Sequence, residues 1–131
     1  MRPFAALLSL LLLLSAPPML RAEGPQDIAA PDGGLRLVMI EREGCVWCKR
    51  WKAEIGPIYA ATEEGRRAPL RIVDVTRGWP AELAAYAPER MTPSFLLLRG
   101  TEEIGRIRGY PGEDFFWGLL GQMLGPPPFP P

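Results

Sequence analysis

The feature that most constrains this chain of 131 residues is its only pair of cysteines, Cys45 and Cys48. They lie where the strand-like apolar run at residues 35–40 gives way to a helical pattern that includes Trp47 and Trp51. Cys45 is therefore expected at the start of a helix, where unpaired N–H groups and the helix dipole favour a thiolate. Because the thiolate is the nucleophilic form of cysteine, the spacing predicts a redox-active dithiol.

The N-terminal stretch has the layout of a secretory signal peptide. Arg2 is followed by an apolar run at residues 4–14, and the small residue Ala22 marks the expected cleavage site. The run is short for a membrane span, which needs about 20 apolar residues. We expect residues 1–22 to be a cleavable signal peptide and the protein to be exported, with an uncleaved membrane anchor as the alternative.

Two other interpretations of the cysteine pair remain open. In an exported protein, cysteines usually form structural disulfides, but a Cys45–Cys48 bond closes a short loop and would stabilise the fold little. A zinc site needs about four ligands, and the chain has no third cysteine and no histidine. The residues therefore favour redox chemistry without a metal or another cofactor, although a metal site shared between chains stays an alternative.

The composition restricts the remaining possibilities. The 15 basic and 15 acidic residues are interspersed, so no basic surface for nucleic acid is expected. Without histidine, any acid–base chemistry must come from thiols, carboxylates, hydroxyls or the backbone. A hydrophobic content of 47% is sufficient for one domain with its own core.

Patterns along the chain predict a mixed sheet of four strands with helices on both faces. A βαβ unit followed by an antiparallel hairpin and a closing helix gives this α/β architecture. The predicted segments are a lead-in (23–34), a strand (35–42), a helix from Cys45 that bends or stops near Gly56-Pro57, a loop (62–69), a strand (70–75), a short helix (79–88) opened by Pro80, a strand (94–98), a strand (103–110) with a bulge at Gly105, a helix (112–124) and a proline-rich disordered tail (125–131).

The last predicted helix is amphipathic. Its apolar stripe consists of Phe116, Leu119, Leu120 and Met123, and its first turn is acidic. This pattern favours packing against the sheet over binding to a membrane.

Two further motifs accompany the dithiol. The segment Met91-Thr92-Pro93 directly precedes a buried strand, and Gly109 lies late in the hairpin that follows. Together with cysteines at a helix start, these motifs resemble the thioredoxin-like fold family, over residues 35–124. The resemblance implies a cis Thr92–Pro93 bond against the dithiol. Thr92 and Pro93 would then be substrate-binding residues, because the backbone of Thr92 could pair with an extended partner segment.

The chain departs from that family in the dipeptide Val46-Trp47, which replaces the Gly-Pro of cytosolic thioredoxins, and at the position of a buried acid. Thioredoxins proper carry a buried aspartate beneath the dithiol, where this chain has Met39, and Glu41 and Glu43 are expected at more exposed positions. Trp47 is predicted either as a substrate-binding residue on the docking surface or as part of the core.

The neighbours of the dithiol on the predicted helix also have expected roles. Trp51 is predicted in the core. Lys49 and Arg50 are expected on a solvated face, with support of the Cys45 thiolate as the alternative.

A narrower resemblance is carried by residues 44–51, 54–59, 105–107 and 109–117. These stretches are similar to the exported thioredoxins that accompany bacterial sulfur-oxidation (Sox) systems, some of which are labelled regulatory proteins. The resemblance implies a monomeric periplasmic reductant. Its partners would be a thiol-bearing carrier protein, as substrate, and a membrane electron donor that reduces it again.

The expected function is therefore that of a periplasmic thiol–disulfide oxidoreductase with Cys45 and Cys48 as catalytic residues. Cys45 would attack a partner disulfide and Cys48 would resolve the mixed disulfide. A reductant is favoured because Val46 and Trp47 place no charge beside the thiolate. A disulfide oxidase or isomerase, and a regulatory module whose dithiol only senses redox state, remain alternatives.

Overall fold

A four-stranded mixed sheet forms the centre of the computed structural model, which describes residues 28–127. The strands are β1 (Leu35–Glu41), β2 (Leu70–Asp74), β3 (Ser94–Arg99) and β4 (Glu102–Arg108). The helices are α1 (Val46–Glu54), α2 (Gly56–Tyr59), α3 (Glu63–Arg67) and α4 (Glu113–Leu124), with 3₁₀ turns at Pro31–Gly33 and Ala81–Leu83. The strand order is β2-β1-β3-β4, with β1 parallel to β2 and antiparallel to β3. The predicted α/β architecture is confirmed.

The central strand β1 is buried on both faces. Leu37 and Met39 lie in the core cluster that α1 and α4 cover, whereas Val38 and Ile40 lie in the cluster on the opposite face. All four side chains are fully buried, which explains why the sequence of β1 is apolar without alternation. Ile28, from the lead-in, and the segment around the second 3₁₀ turn complete the opposite face.

An aromatic cluster fixes α1 and α4 on the sheet. The indole of Trp51 is fully buried, with its ring centroid 5.2 Å from that of Phe95 on β3 and 5.5 Å from that of Phe116 on α4. Tilted and edge-on contacts between aromatic rings at such distances stabilise a core by more than the burial of apolar area alone. The prediction that Trp51 belongs to the core is confirmed.

The first long helix is interrupted at the predicted position. Ile55 closes α1, and Pro57 then lies in the first turn of α2. Proline is tolerated there because the first N–H groups of a helix have no partner within the helix.

The prediction of a loop over residues 62–69 was wrong, because this segment contains α3. The hydroxyl of Thr62 accepts a hydrogen bond from the N–H of Gly65 at 3.0 Å and caps the helix. Glu63 and Glu64 follow in its first turn and complement the helix dipole. The polar composition suggested a loop, but these polar residues stabilise a helix terminus.

The predicted helix over residues 79–88 is only a single 3₁₀ turn, and Pro80 precedes the turn in an extended conformation. The carbonyl of Leu83 accepts the indole N–H of Trp79 at 2.8 Å and the N–H of Tyr86 at 2.9 Å. Because the Tyr86 bond spans three residues rather than four, it closes a turn and does not continue an α-helix.

The predicted bulge in the β3–β4 hairpin is present one residue from its expected place. Leu97 pairs with Gly105 and Leu98 pairs with Glu103, so Ile104 is an extra residue on β4. This bulge resolves the conflict of parity between Ile104 and Ile107.

The helix α4 packs on the sheet through a narrower stripe than predicted. Phe116 and Leu120 are fully buried and Leu124 nearly so, whereas Met123 is half-buried and Leu119 is 39% exposed. The prediction that Leu119 belongs to the packed stripe was wrong. The buried positions of α4 recur every four residues, so Leu119 lies at the edge of the contact between α4 and the sheet.

Several predictions lie outside the described residues, namely the signal peptide at 1–22, the lead-in up to residue 27 and the tail from residue 128. Within residues 28–127, no helix is long and apolar enough to cross a membrane.

Replacement of Phe116 by alanine is expected to lower the free energy of unfolding by about 3 to 5 kcal/mol, because it leaves a cavity in the aromatic cluster. Phe115 is the matched control, since its side chain is 69% exposed, and Phe115→Ala should change stability by about 0.5 kcal/mol or less. Urea denaturation of both oxidised variants measures the difference. Equal losses of stability would contradict the burial of Phe116 in the aromatic cluster.

Candidate active site

The two cysteines open α1 in the predicted manner. Cys45 is the capping residue of the helix, with an extended backbone (φ −70°, ψ 105°), and its sulfur accepts a hydrogen bond from the N–H of Cys48 at 3.1 Å. The cap therefore places the Cys45 sulfur at the positive end of the helix dipole. Both effects stabilise negative charge on this sulfur once the cysteine is reduced.

The cysteines form a disulfide, and their surroundings differ. Their Cα atoms lie 5.2 Å apart. Cys45 is half-buried at the surface, whereas Cys48 is only 1% exposed and packs in the same core cluster as Met39 and Trp51. An attacking molecule can therefore approach Cys45 more easily than Cys48.

The bond between Thr92 and Pro93 is cis, as predicted. The carbonyl of Pro93 accepts the N–H of Gly109 at 2.7 Å. Gly109 adopts a positive φ of 81°, a conformation that glycine tolerates best. The glycine that the sequence places late in the hairpin therefore contacts the cis-proline segment directly.

The backbone of Thr92 is available for pairing. Among the hydrogen bonds found within residues 28–127, none uses the N–H or the carbonyl of Thr92. The residues on either side are tied down, because the Ser94 hydroxyl donates to the carbonyl of Met91 at 2.8 Å. An N–H and a carbonyl without partners, on a residue between fixed neighbours, suit the addition of an extended partner segment.

Trp47 lies on the surface and not in the core, since its side chain is 51% exposed. The guanidinium of Arg50 lies 5.6 Å from the centroid of the Trp47 ring, within the range of a cation–π contact. Arg50 also pairs with Glu54 at 2.8 Å, and Glu54 accepts the hydroxyl of Tyr110 at 2.6 Å. This series of contacts connects Trp47 to Tyr110, two residues after the end of β4.

The same contacts hold Glu54 in its ionised form. The hydrogen bond from Tyr110, followed by the one from Arg50, lowers the pKa of the Glu54 carboxyl below its ordinary value. Arg50 is thus engaged with Trp47 and Glu54, and its alternative role as support for the Cys45 thiolate is not seen in its contacts. Lys49 is exposed and lines the cleft beside the cysteines.

Within residues 28–127, no carboxylate is fully buried in the core. Met39, at the position of the family's buried aspartate, is fully buried and lies in the same cluster as Cys48. A carboxylate is available instead in a cleft of about 260 Å³ that both cysteines line. Glu41 lies in this cleft, 19% exposed, and pairs with Lys52 at 2.6 Å. The sequence suggested that Glu41 is more exposed than Met39 but gave no sign that Lys52, eleven positions later, is its partner.

Comparisons with known proteins agree with this geometry. No family model and no curated protein matches the sequence. Among solved structures, the periplasmic thioredoxin SoxS from Paracoccus pantotrophus, in its reduced form, is 47% identical over 69% of this chain and 95% of its own, with a TM-score of 0.62. The chain belongs to the thioredoxin family. With its Cys45–Cys48 disulfide, this thioredoxin is a thiol–disulfide oxidoreductase.

More distant thioredoxins share the fold. The thioredoxin Mala s 13 from Malassezia sympodialis is 18% identical over 76% of this chain and 83% of its own, with a TM-score of 0.56. The thioredoxin from Fasciola hepatica is 22% identical over 70% of this chain and 82% of its own, with a TM-score of 0.52. At these identities the likeness concerns the fold alone.

Alkylation of the reduced thioredoxin near neutral pH is expected to modify Cys45 at least about tenfold faster than Cys48, because only Cys45 combines exposure with a stabilised thiolate. Iodoacetamide labelling followed by peptide mass spectrometry measures both rates. A Cys45→Ser variant serves as control and should label slowly. Faster modification of Cys48 would contradict the difference between the two cysteines.

Proposed function

We propose that this thioredoxin is a periplasmic reductant of a disulfide or mixed disulfide on a partner protein. Cys45 is the nucleophile and Cys48 the resolving thiol. The observation that carries the proposal is the pairing of an accessible sulfur at the cap of α1 with a buried sulfur one turn later. The same cap that stabilises the Cys45 thiolate brings the Cys48 thiol within bonding distance of it.

The reaction consists of two exchanges. The Cys45 thiolate attacks one sulfur of the partner disulfide, so a Cys45–partner bond forms, the partner S–S bond breaks and the leaving thiolate takes up a proton. Cys48 then loses its proton and attacks Cys45, which releases the second partner thiol. Two electrons pass to the partner, and the Cys45–Cys48 disulfide remains.

The partner is proposed to dock on Thr92, Pro93 and Trp47. The unpaired peptide group of Thr92 would bond to an extended partner segment as an added strand does. Trp47 and Met91, which are 51% and 53% exposed, would cover the apolar side chains of that segment.

The proposed location and pathway are supported by the similarity to SoxS and by the sequence pattern of residues 1–22. SoxS from Paracoccus pantotrophus is a periplasmic thioredoxin and 47% identical to this chain, and residues 1–22 have the layout of an export signal. We therefore propose that the monomeric protein works in the periplasm on a thiol-bearing carrier of a sulfur-oxidation pathway, and that a membrane electron donor reduces it again.

The direction of reaction follows from the residues beside the thiolate. No charged side chain lies between the cysteines, and Arg50 is engaged by Trp47 and Glu54. A thiolate that is stabilised by the helix cap but by no charged side chain between the cysteines leaves the disulfide form more favourable than in a strong oxidant, and such a dithiol donates its electrons more readily. An oxidase or isomerase would need a better stabilised thiolate, and a purely regulatory module would not need the dithiol to turn over.

Replacement of Cys48 by alanine should trap the partner, because the mixed disulfide on Cys45 can no longer be resolved. We expect one dominant adduct with an exported, cysteine-bearing protein, which dithiothreitol releases for mass spectrometry. The control is the Cys45→Ser, Cys48→Ala double variant, which should trap nothing. Adducts with many proteins that carry structural disulfides would instead support the isomerase alternative.

The redox potential should lie closer to the value of about −270 mV typical of reducing thioredoxins than to the value of about −120 mV of strongly oxidising members of the fold. Equilibration with glutathione buffers measures it. A Trp47→His variant, which places a titratable cation beside the thiolate, should shift the potential upward. A wild-type potential near the oxidising value would refute the proposed direction.

A further inference from the structure

The carboxylate of Glu89 connects the cis-proline segment to β4. One of its oxygens, Oε1, accepts the backbone N–H groups of Arg90 at 2.9 Å and Met91 at 3.1 Å. The other oxygen, Oε2, accepts from Nε of Arg108 at 2.7 Å and from the guanidinium of Arg106 at 3.4 Å. One side chain thus orders the backbone before Thr92 and ties it to the neighbouring strand.

This ionic cluster differs from the surface ion pairs of the chain, because its centre is removed from water. The side chains of Glu89 and Arg106 are only 11% and 7% exposed. Arg106 also forms a bidentate pair with Glu103, at 2.6 and 2.7 Å, and donates to the carbonyl of Ala87 at 3.1 Å. Bidentate, charge-assisted hydrogen bonds of this kind fix geometry as well as charge.

The charge on Glu89 persists at neutral pH. Burial raises the pKa of this carboxyl, but the N–H of Met91, the guanidinium of Arg108, the N–H of Arg90 and Arg106 together outweigh burial, so the pKa lies below its ordinary value. Loss of the carboxylate would therefore leave Arg106 buried with one of its two acidic partners missing.

The cluster fixes one end of the segment that contains Thr92, and the other end is fixed separately. The carbonyl of Pro93 holds the N–H of Gly109, which follows β4 directly. Arg42, from the loop before the dithiol, donates to the backbone carbonyl of Glu89 at 3.4 Å. The N–H and carbonyl of Thr92 therefore lie between two attachments, one to β4 and one to Gly109.

We propose that Glu89 is a positioning residue for partner binding: its carboxylate holds the backbone of residues 90–91 against β4 and so sets the orientation of the Thr92 peptide group. The inference rests on the proposed function, because it assumes that a protein partner docks at Thr92 and Pro93. A small disulfide needs no such docking. Glu89 therefore matters for exchange with a protein and not for exchange with a small reagent.

The test compares insulin, as a protein disulfide, with 5,5′-dithiobis(2-nitrobenzoate), as a small one, in single-turnover reactions of the pre-reduced thioredoxin. For Glu89→Ala we expect the half-saturating insulin concentration to rise about tenfold, since misplaced docking groups commonly cost at least this much. The maximal rate with insulin and the rate with the small disulfide should stay within about twofold of wild type, because binding is lost without loss of chemistry. The redox potential should be unchanged.

Three further variants separate positioning from a general effect. Glu102 is an exposed glutamate at the start of β4, and Glu102→Ala removes the same charge without affecting the cluster, so it should behave as wild type. Glu89→Gln keeps an acceptor for the N–H groups of Arg90 and Met91, and should restore part of the insulin affinity. Arg108 is 60% exposed, so Arg108→Ala should fold normally and show a smaller effect than Glu89→Ala.

The outcomes are distinguishable. A wild-type half-saturating concentration in both Glu89→Ala and Arg108→Ala would overturn this inference alone, and so would a parallel loss of rate with insulin and with the small disulfide. If the wild-type protein reacted with the small disulfide but left insulin intact, the proposed function would fail and the inference with it.

Discussion

The hydrogen bond from the N–H of Cys48 to the sulfur of Cys45 is the interaction on which the rest of the site depends. It caps α1 and, in the reduced protein, stabilises negative charge on the nucleophile, so helix formation and thiol reactivity have the same cause. The cap keeps its place because Trp51, two turns along α1, is locked between Phe95 and Phe116. The reactivity of Cys45 is thus maintained by the apolar core.

The docking half of the proposed site is held by different forces. The segment before Thr92 is attached to β4 through the buried ion cluster of Glu89, and its far end is attached through a backbone bond between Pro93 and Gly109. Apolar packing tolerates changes of charge, whereas a buried ion pair loses much of its stabilisation when one partner is removed. The two halves should therefore respond to different substitutions, which would let partner recognition vary while the dithiol chemistry stays unchanged.

Much of the fold could be predicted because local patterns and tertiary packing agree. The apolar run in β1 indicated burial on both faces, and the change of period at Cys45 indicated a helix start. One prediction was wrong because a short polar segment can form either a loop or a capped helix. Residues 62–69 were predicted as a loop, but the hydroxyl of Thr62 caps α3. Leu119 was misplaced because helical periodicity gives the direction of an apolar stripe but not its width.

The sequence by itself determined the dithiol and its place at a helix start, because these depend on neighbours within a few residues, whereas the cis Thr92–Pro93 bond was expected only from the resemblance to thioredoxins. Only the tertiary structure decided that Trp47 is exposed, that Glu41 pairs with Lys52 in the cleft beside the cysteines, and that Glu89 reaches β4. The two ion pairs join residues far apart in the chain, and the sequence does not indicate whether a charged side chain is solvated or buried. Sheet register and loop closure bring these charges together, and neither is encoded by any short segment alone.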